Sequence, residues 1–162
     1  MSSIELNSLV FAGTVSYSYA DHGAQFYDCR FLTSVTMKNM PYVQIEMFYG
    51  CGQLDFVDMP ALETINLNGF RGCNSLSNLT LPRINTIGES AFRGNAGLSE
   101  VDLPSLTKIS TRAFCECPNL ISFTSMNCVT VGDYAFNNCP KLTNVSLENV
   151  TNRVWDIAQW LR

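Results

Sequence analysis

Apolar positions in this chain recur at one long interval, superimposed on a short local alternation. Phenylalanine stands at Phe26, Phe48, Phe70, Phe92, Phe114 and Phe136, six times at a spacing of 22. Three residues after each comes Cys29, Cys51, Cys73, Asn95, Cys117 or Cys139. Three further on is an unbroken leucine column: Leu32, Leu54, Leu76, Leu98, Leu120 and Leu142. Val35, Val57, Leu79, Val101, Phe123 and Val145 follow, and two residues later Met37, Met59, Leu81, Leu103, Ser125 and Leu147. The columns Met40, Leu62, Ile84, Leu106, Cys128, Val150 and Val43, Ile65, Ile87, Ile109, Val131 complete the unit. Met47, Gly69, Ala91, Ala113 and Ala135 precede the phenylalanines. Chance does not align seven columns over six registers.

A unit of this length cannot bury its apolar side alone, so successive units must stack and turn each column into a ladder of like residues. Leu76-x-x-Leu79-x-Leu81 ends in period-2 alternation, the mark of a short strand with one face inward. The next unit sets the same strand beside it in the same direction, which predicts a parallel sheet along one side. Pro60, Pro82 and Pro104 follow the strand at a fixed offset and end its ladder. Around Ile87-Gly88-Glu89-Ser90-Ala91-Phe92 the chain turns back through a second extended piece and a helical or 3₁₀ turn. Six units at a strand spacing of about 4.8 Å give a rod on the order of 30 Å long.

The ends need lids, because a bare end exposes core. Residues 1–25 fit the template poorly, and the stretch from Phe11 to Tyr19 reads as part of a β-rich N-terminal cap. Val154, Ile157, Ala158 and Leu161 lie at i, i+3, i+4, i+7, one stripe of a helix. The expected layout is therefore an N-terminal β cap (1–25), repeats (26–151) and a helical cap (152–162) with Trp155 or Trp160 over the last coil. All three form one structural domain.

The columns resemble the BspA-like, or Treponema-type, leucine-rich repeats, in which a leucine-rich strand is followed by Pro, Ile-Gly, Ala-Phe and Cys. The nearest copy runs Leu76-Ser-Asn-Leu79-Thr-Leu81-Pro82-Arg-Ile84-Asn-Thr-Ile87-Gly88-Glu-Ser-Ala91-Phe92-Arg-Gly-Asn95. The resemblance covers about residues 26–150 and implies a right-handed leucine-rich-repeat solenoid. Members of that family are typically surface or secreted proteins of bacteria and protozoa that bind host proteins. Similar arrays occur in bacteriophage tail and receptor-binding proteins.

Composition narrows the partners. The net charge is −4 and the sequence pI about 4.8, whereas a nucleic-acid binder carries a basic stripe that displaces counterions. No window holds 18 consecutive apolar residues, so no membrane insertion is expected. Met1-Ser2-Ser3-Ile4-Glu5-Leu6 shows no basic segment before an apolar run, so no secretory signal is read there and synthesis is taken as cytoplasmic.

The seven cysteines invite a disulfide or metal reading. Five of them share one ladder position, where stacked residues hold parallel Cβ vectors about 4.8 Å apart, beyond disulfide reach. A zinc site needs four ligands converging on a point, and a ladder presents them in a row. These cysteines are expected to be core residues, with Asn95 hydrogen-bonding backbone in the same slot. In Cys115-Glu116-Cys117 only one cysteine belongs to the ladder, and the other is expected outside. His22 is the single histidine and lies in the N-terminal cap. Three sequons, Asn78-Leu-Thr80, Asn144-Val-Ser146 and Asn149-Val-Thr151, are taken as accidents of a Ser/Thr/Asn-rich chain. No catalytic residue, metal or cofactor is assigned.

The outward strand positions carry the functional expectation. They read Ser34/Thr36, Phe56/Asp58, Asn78/Thr80, Glu100/Asp102, Ser122/Thr124 and Asn144/Ser146, a mildly acidic strip with one aromatic. Asp55, Phe56, Asp58, Asn78, Thr80, Glu100, Asp102 and Thr124 are the candidate binding residues. The expected function is recognition of a protein or glycan on a cell surface, as an adhesin-like or phage receptor-binding component. The alternative is a structural subunit docked within a larger particle, favoured if Tyr27, Phe31, Tyr49, Phe56 and Met126 form one contiguous patch.

Overall fold

The computed structural model describes residues 3–5, 24–77 and 79–151. The expected lid over Phe11 to Tyr19, His22, Asn78 and the helix over 152–162 lie outside the described residues.

Each 22-residue unit closes into one coil with two short extended sides joined by turns. The leucine-valine stretch forms β2 (Ser34–Thr36), β4 (Phe56–Asp58), β7 (Glu100–Asp102), β9 (Ser122–Thr124) and β11 (Asn144–Ser146). The isoleucine-valine column forms β3 (Tyr42–Val43), β5 (Thr64–Ile65), β6 (Thr86–Ile87), β8 (Lys108–Ile109) and β10 (Thr130–Val131). Every pairing is parallel and in the register of the columns: Val35 lies opposite Val57, Val101 opposite Phe123, and Ile65 opposite Ile87. The second extended side is thus a sheet in its own right, five strands in the order β10-β8-β6-β5-β3. The first side is divided into two sheets, one in which β1 (Ser3–Glu5) precedes β2 and β4, the other β7-β9-β11. The fold is a parallel-sheet solenoid built on a 22-residue repeat.

Strand β1 (Ser3–Glu5) sits within the segment expected to be a cap and adds a rung to the first sheet, with Ile4 opposite Val35. That pair is 31 residues apart, against 22 elsewhere. The longer first unit explains why the opening residues miss the template.

The corners are not helical. The turn expected to be helical or 3₁₀ is a run of successive tight turns, as where Met47 N–H donates to Gln44 O, Tyr49 to Glu46 and Cys51 to Phe48. Two positions in the corner carry positive φ in coil after coil. Glu46, Asn68, Ser90, Arg112 and Tyr134 form one such column; Asp28, Gly50, Gly72, Gly94, Glu116 and Asn138 form the other. Glycine is the least strained residue at such a φ, and the chain uses it in three coils of the second column. Gly69 is needed for a different reason: a Cβ there would lie 2.6 Å from Ile65 Cγ2 and 2.9 Å from Val43 Cγ1.

The core is the set of columns. Phe26, Phe48, Phe70, Phe92, Phe114 and Phe136 lie ring on ring, with centroids 5.0–5.6 Å apart and planes within 10° of parallel. The backbone bonds across the same corner: Phe48 N–H donates to Gly69 O at 2.9 Å, Phe70 to Ala91 O at 2.9 Å and Phe92 to Ala113 O at 2.8 Å. Phe123, larger than the valines in its column, packs edge-on against Phe114 and Phe136. Two small residues follow it, Ser125 and Cys128, both buried. The Ser125 hydroxyl lies within hydrogen-bond distance of Leu103 O and Leu106 O, at 3.0 and 3.2 Å, so its polarity is satisfied.

The thiols use the phenylalanine carbonyls. Cys51 donates to Phe26 O (3.0 Å), Cys73 to Phe48 O (3.2 Å), Cys117 to Phe92 O (3.2 Å) and Cys139 to Phe114 O (3.1 Å). Asn95 occupies the same slot and is fully buried, yet neither Oδ1 nor Nδ2 has a partner, contrary to the expectation that it bonds backbone. An amide is longer and differently angled than a thiol, so the carbonyl of Phe70 does not receive it. Cys115 also departs from expectation, being buried although off the ladder.

Two measurements check this account. Phe92→Ala removes a ring stacked on both faces and should cost about 3–5 kcal/mol. Phe26→Ala, at the half-buried first ring, should cost clearly less in the same denaturant titration; equal, negligible losses would contradict the stack as core. Asn95→Cys replaces the unpaired amide with the group the slot fits and should stabilise by about 1–3 kcal/mol. Its melting temperature should rise by several degrees, and a fall would show that the amide is satisfied in solution.

Candidate interaction surface

Because side chains alternate along a strand, the residues flanking each buried Val or Phe of the first sheet point outward. Ser34, Phe56, Glu100, Ser122 and Asn144 stack in one outward column, and Thr36, Asp58, Thr80, Asp102, Thr124 and Ser146 in the next. Phe56 is 56% exposed with Asp55 exposed beside it. Asp58 is half-buried and its carboxylate is held by Lys38 from the preceding coil. Glu100 and Asp102 are exposed on either side of buried Val101, with no cationic partner among the described residues. Across the ladder they face Ser122 and Thr124, both half-buried. Thr80 is exposed. The candidate residues thus share one face, except Asn78, which lies outside the described residues. Phe56, with Asp55 beside it, is separated from Glu100 and Asp102 by the third coil.

A third outward column escaped the sequence reading. Two residues beyond the Thr36 column stand Lys38, Pro60, Pro82, Pro104, Met126 and Glu148, all exposed. The prolines had been read only as ends of the ladder, although the 22-residue spacing already aligned them with Met126. They form a ledge along the rim of the strand face.

The turn side is built differently. Tyr27 and Tyr49 lie flat on one another at 4.8 Å, and the Arg71 guanidinium lies 5.3 Å from the Tyr49 ring centre. Arg112 lies over Tyr134 in the same way, at 5.4 Å. Arg93 meets Glu116 through two bonds, at 3.0 and 2.7 Å; this contact holds the Glu116 carboxyl below its ordinary pKa and raises that of Arg93. Tyr27, Phe31, Tyr49, Phe56 and Met126 fall in four different columns, with Met126 three coils beyond Phe56. They do not make one patch.

Burial sets the chemistry of the thiols. It pushes Cys51 and Cys128 up to about 11 and raises Cys73 and Cys115 as well. The neighbouring Cys139 thiol and burial raise the pKa of Cys117, while the Cys117 thiol lowers that of Cys139. Among the described residues no three His, Cys, Asp or Glu side chains converge as a metal site. Nor is any helix there long and apolar enough to cross a membrane.

A rigid rod of parallel coils with polar outward columns is a leucine-rich-repeat solenoid, a class of generally protein-binding and typically non-catalytic modules. Six copies of the BspA type leucine rich repeat region match residues 2–66 and 63–156, and the chain belongs to that family. A leucine-rich repeat protein of T. pallidum superposes with a TM-score of 0.74 at 25% identity, over 90% of this chain and 69% of that one. A leucine rich cell surface protein of Faecalibacterium prausnitzii gives 0.68 at 26% identity, over 76% of this chain and 35% of that one. A leucine-rich repeat protein of Bacteroides ovatus, 22% identical, gives 0.54 over 88% and 45% and shares the fold. No curated protein matches the chain.

Thiol reactivity should follow the burial. Near pH 8, alkylation of the folded protein should label few cysteines, the half-exposed Cys29 first, and denaturation should release nearly all seven. Raising the pH toward the shifted values forms thiolate and should speed labelling of Cys51 and Cys128. Two or more disulfides in the purified protein would contradict the ladder geometry.

Proposed function

We propose that this chain is a non-catalytic recognition module that binds a protein or glycan at a cell surface, in the manner of an adhesin or a phage receptor-binding component. The observation that carries the reading is the strand face. It runs over two three-stranded sheets, with exposed Phe56 and Asp55 on one and exposed Glu100 and Asp102 on the other, none of these acids having a cationic partner among the described residues. A surface already fixed loses little entropy on binding. The aromatic supplies area that desolvates, and the carboxylates orient a polar or cationic partner. The likeness to a cell surface protein of the same repeat class supports the setting. The scatter of exposed aromatics over several columns gives no support to the assembly-subunit alternative.

The test compares two triple variants. Phe56, Asp58 and Asp102 changed to Ala alter no core column and should leave the melting curve nearly unchanged while adhesion to target cells drops. Arg71, Arg93 and Arg112 changed to Ala alter the turn side and should leave adhesion intact. The reverse result would move the site to the turns, and no effect from either would turn attention to the rod ends and to assembly.

A further inference from the structure

We propose that the rim ledge of the strand face is a docking track for a basic amphipathic α-helix, laid along the rod with its N-terminus toward the sixth coil. The inference rests on the strand-face reading and adds the shape and charge of the partner.

The ledge is apolar in the middle and charged at its ends. Pro60, Pro82, Pro104 and Met126 occupy four successive rungs, with Lys38 before them and Glu148 after, all exposed. Its backbone is fixed by the following coil. Ser105 Oγ donates to Pro82 O at 2.8 Å, Asn127 Nδ2 to Pro104 O at 2.7 Å and Asn149 Nδ2 to Met126 O at 2.6 Å.

The spacing selects a helix. Neighbouring coils of the strand face pair as parallel strands, about 4.8 Å apart. An α-helix advances about 5.4 Å per turn, so its residues at i, i+4, i+7 and i+11 fall near successive rungs. An extended peptide repeats its side chains at roughly 6.6–6.8 Å on one face, and slips out of step within two or three rungs. From Pro60 to Met126 there are three intervals, and a helix of about three turns covers them.

Charge sets the composition and polarity. On the strand side of the ledge Asp102 and Glu100 have no cationic partner among the described residues, while Asp58 is already held by Lys38. Lysine or arginine on the flank of the helix facing the strands would meet that unpaired pair. Glu148, exposed at one end, suits the positive end of a helix dipole.

The probe is a fluorescent peptide of about 14 residues, held helical by a side-chain crosslink, with leucine at i, i+4, i+7 and i+11 and lysine along one flank. A second, uncrosslinked peptide has the same composition, with its four leucines and the lysines between them alternating along a central stretch. The helical peptide should bind the intact chain, and the alternating one about tenfold more weakly or worse. Pro82→Asn with Pro104→Asn, and separately Met126→Gln, should each weaken the helical peptide severalfold; Met126→Gln leaves the prolines in place and decides the matter if the double variant folds poorly. Asp102→Asn should weaken it as well, with a smaller effect at high salt. Equal affinity for both peptides, or unchanged affinity in Met126→Gln, overturns the helix track. Binding lost only in Phe56→Ala overturns the ledge and leaves the strand face standing. Binding lost only in the turn-side arginine variant removes both readings. If neither peptide binds, the track is wrong and the strand face rests on the cell-adhesion comparison alone.

Discussion

Phenyl rings lying flat on one another set the rise of the whole rod. A ring can stack on its neighbour only if its coil arrives at nearly the same height, angle and radius. Once six rings comply, every other column is carried into line with them. The thiol bonds depend directly on this stack, because Cys51, Cys73, Cys117 and Cys139 each donate to the carbonyl of a phenylalanine in the preceding coil. The ring column and the cysteine column are therefore one device, with apolar contact and backbone polarity served at the same corner.

The charged side chains work on a smaller scale. Lys38 reaches Asp58, Arg83 reaches Glu63 and Arg93 reaches Glu116, each pair bridging adjacent coils at the surface. Exposed pairs of this kind contribute at most about 1 kcal/mol each. Their larger effect is on the map of free charge. Lys38 engages Asp58, whereas Asp55, Glu100 and Asp102 have no cationic partner among the described residues.

Stacking makes the repeat easy to read, because a residue that must fit against its copy tends to resemble it. For that reason Phe26 to Phe136, the leucine column and the strands at Val35, Val101 and Phe123 were visible in the residue order. The positions of Phe56, Glu100 and Asp102 on one face followed from strand alternation alone. What escaped depended on three-dimensional detail that spacing does not carry. Hydrophobic periodicity reports burial and not φ, so the left-handed corners at Glu46 and Asn68 left no trace. Asn95 looks interchangeable with cysteine in polarity, yet it differs in reach. The rung at Ser3–Glu5 was hidden because its unit is longer than the others, and the ledge because proline was read for what it prevents rather than for the surface it presents.

The corners, finally, make the length of this protein change in steps. From Glu46 to Asn138 each coil places its two left-handed residues at the same points in the circuit, and with Asp28 eight of the left-handed residues are not glycine. A duplication of one whole period repeats both corners and adds a rung to every column at once. An insertion of any other length between Phe26 and Phe136 would rotate the following columns off their partners. The extra residues of the first unit fall between β1 and β2, before the first ring of the stack. Growth by recombination can therefore lengthen the rod without altering its cross-section, and the outward faces gain reach one rung at a time.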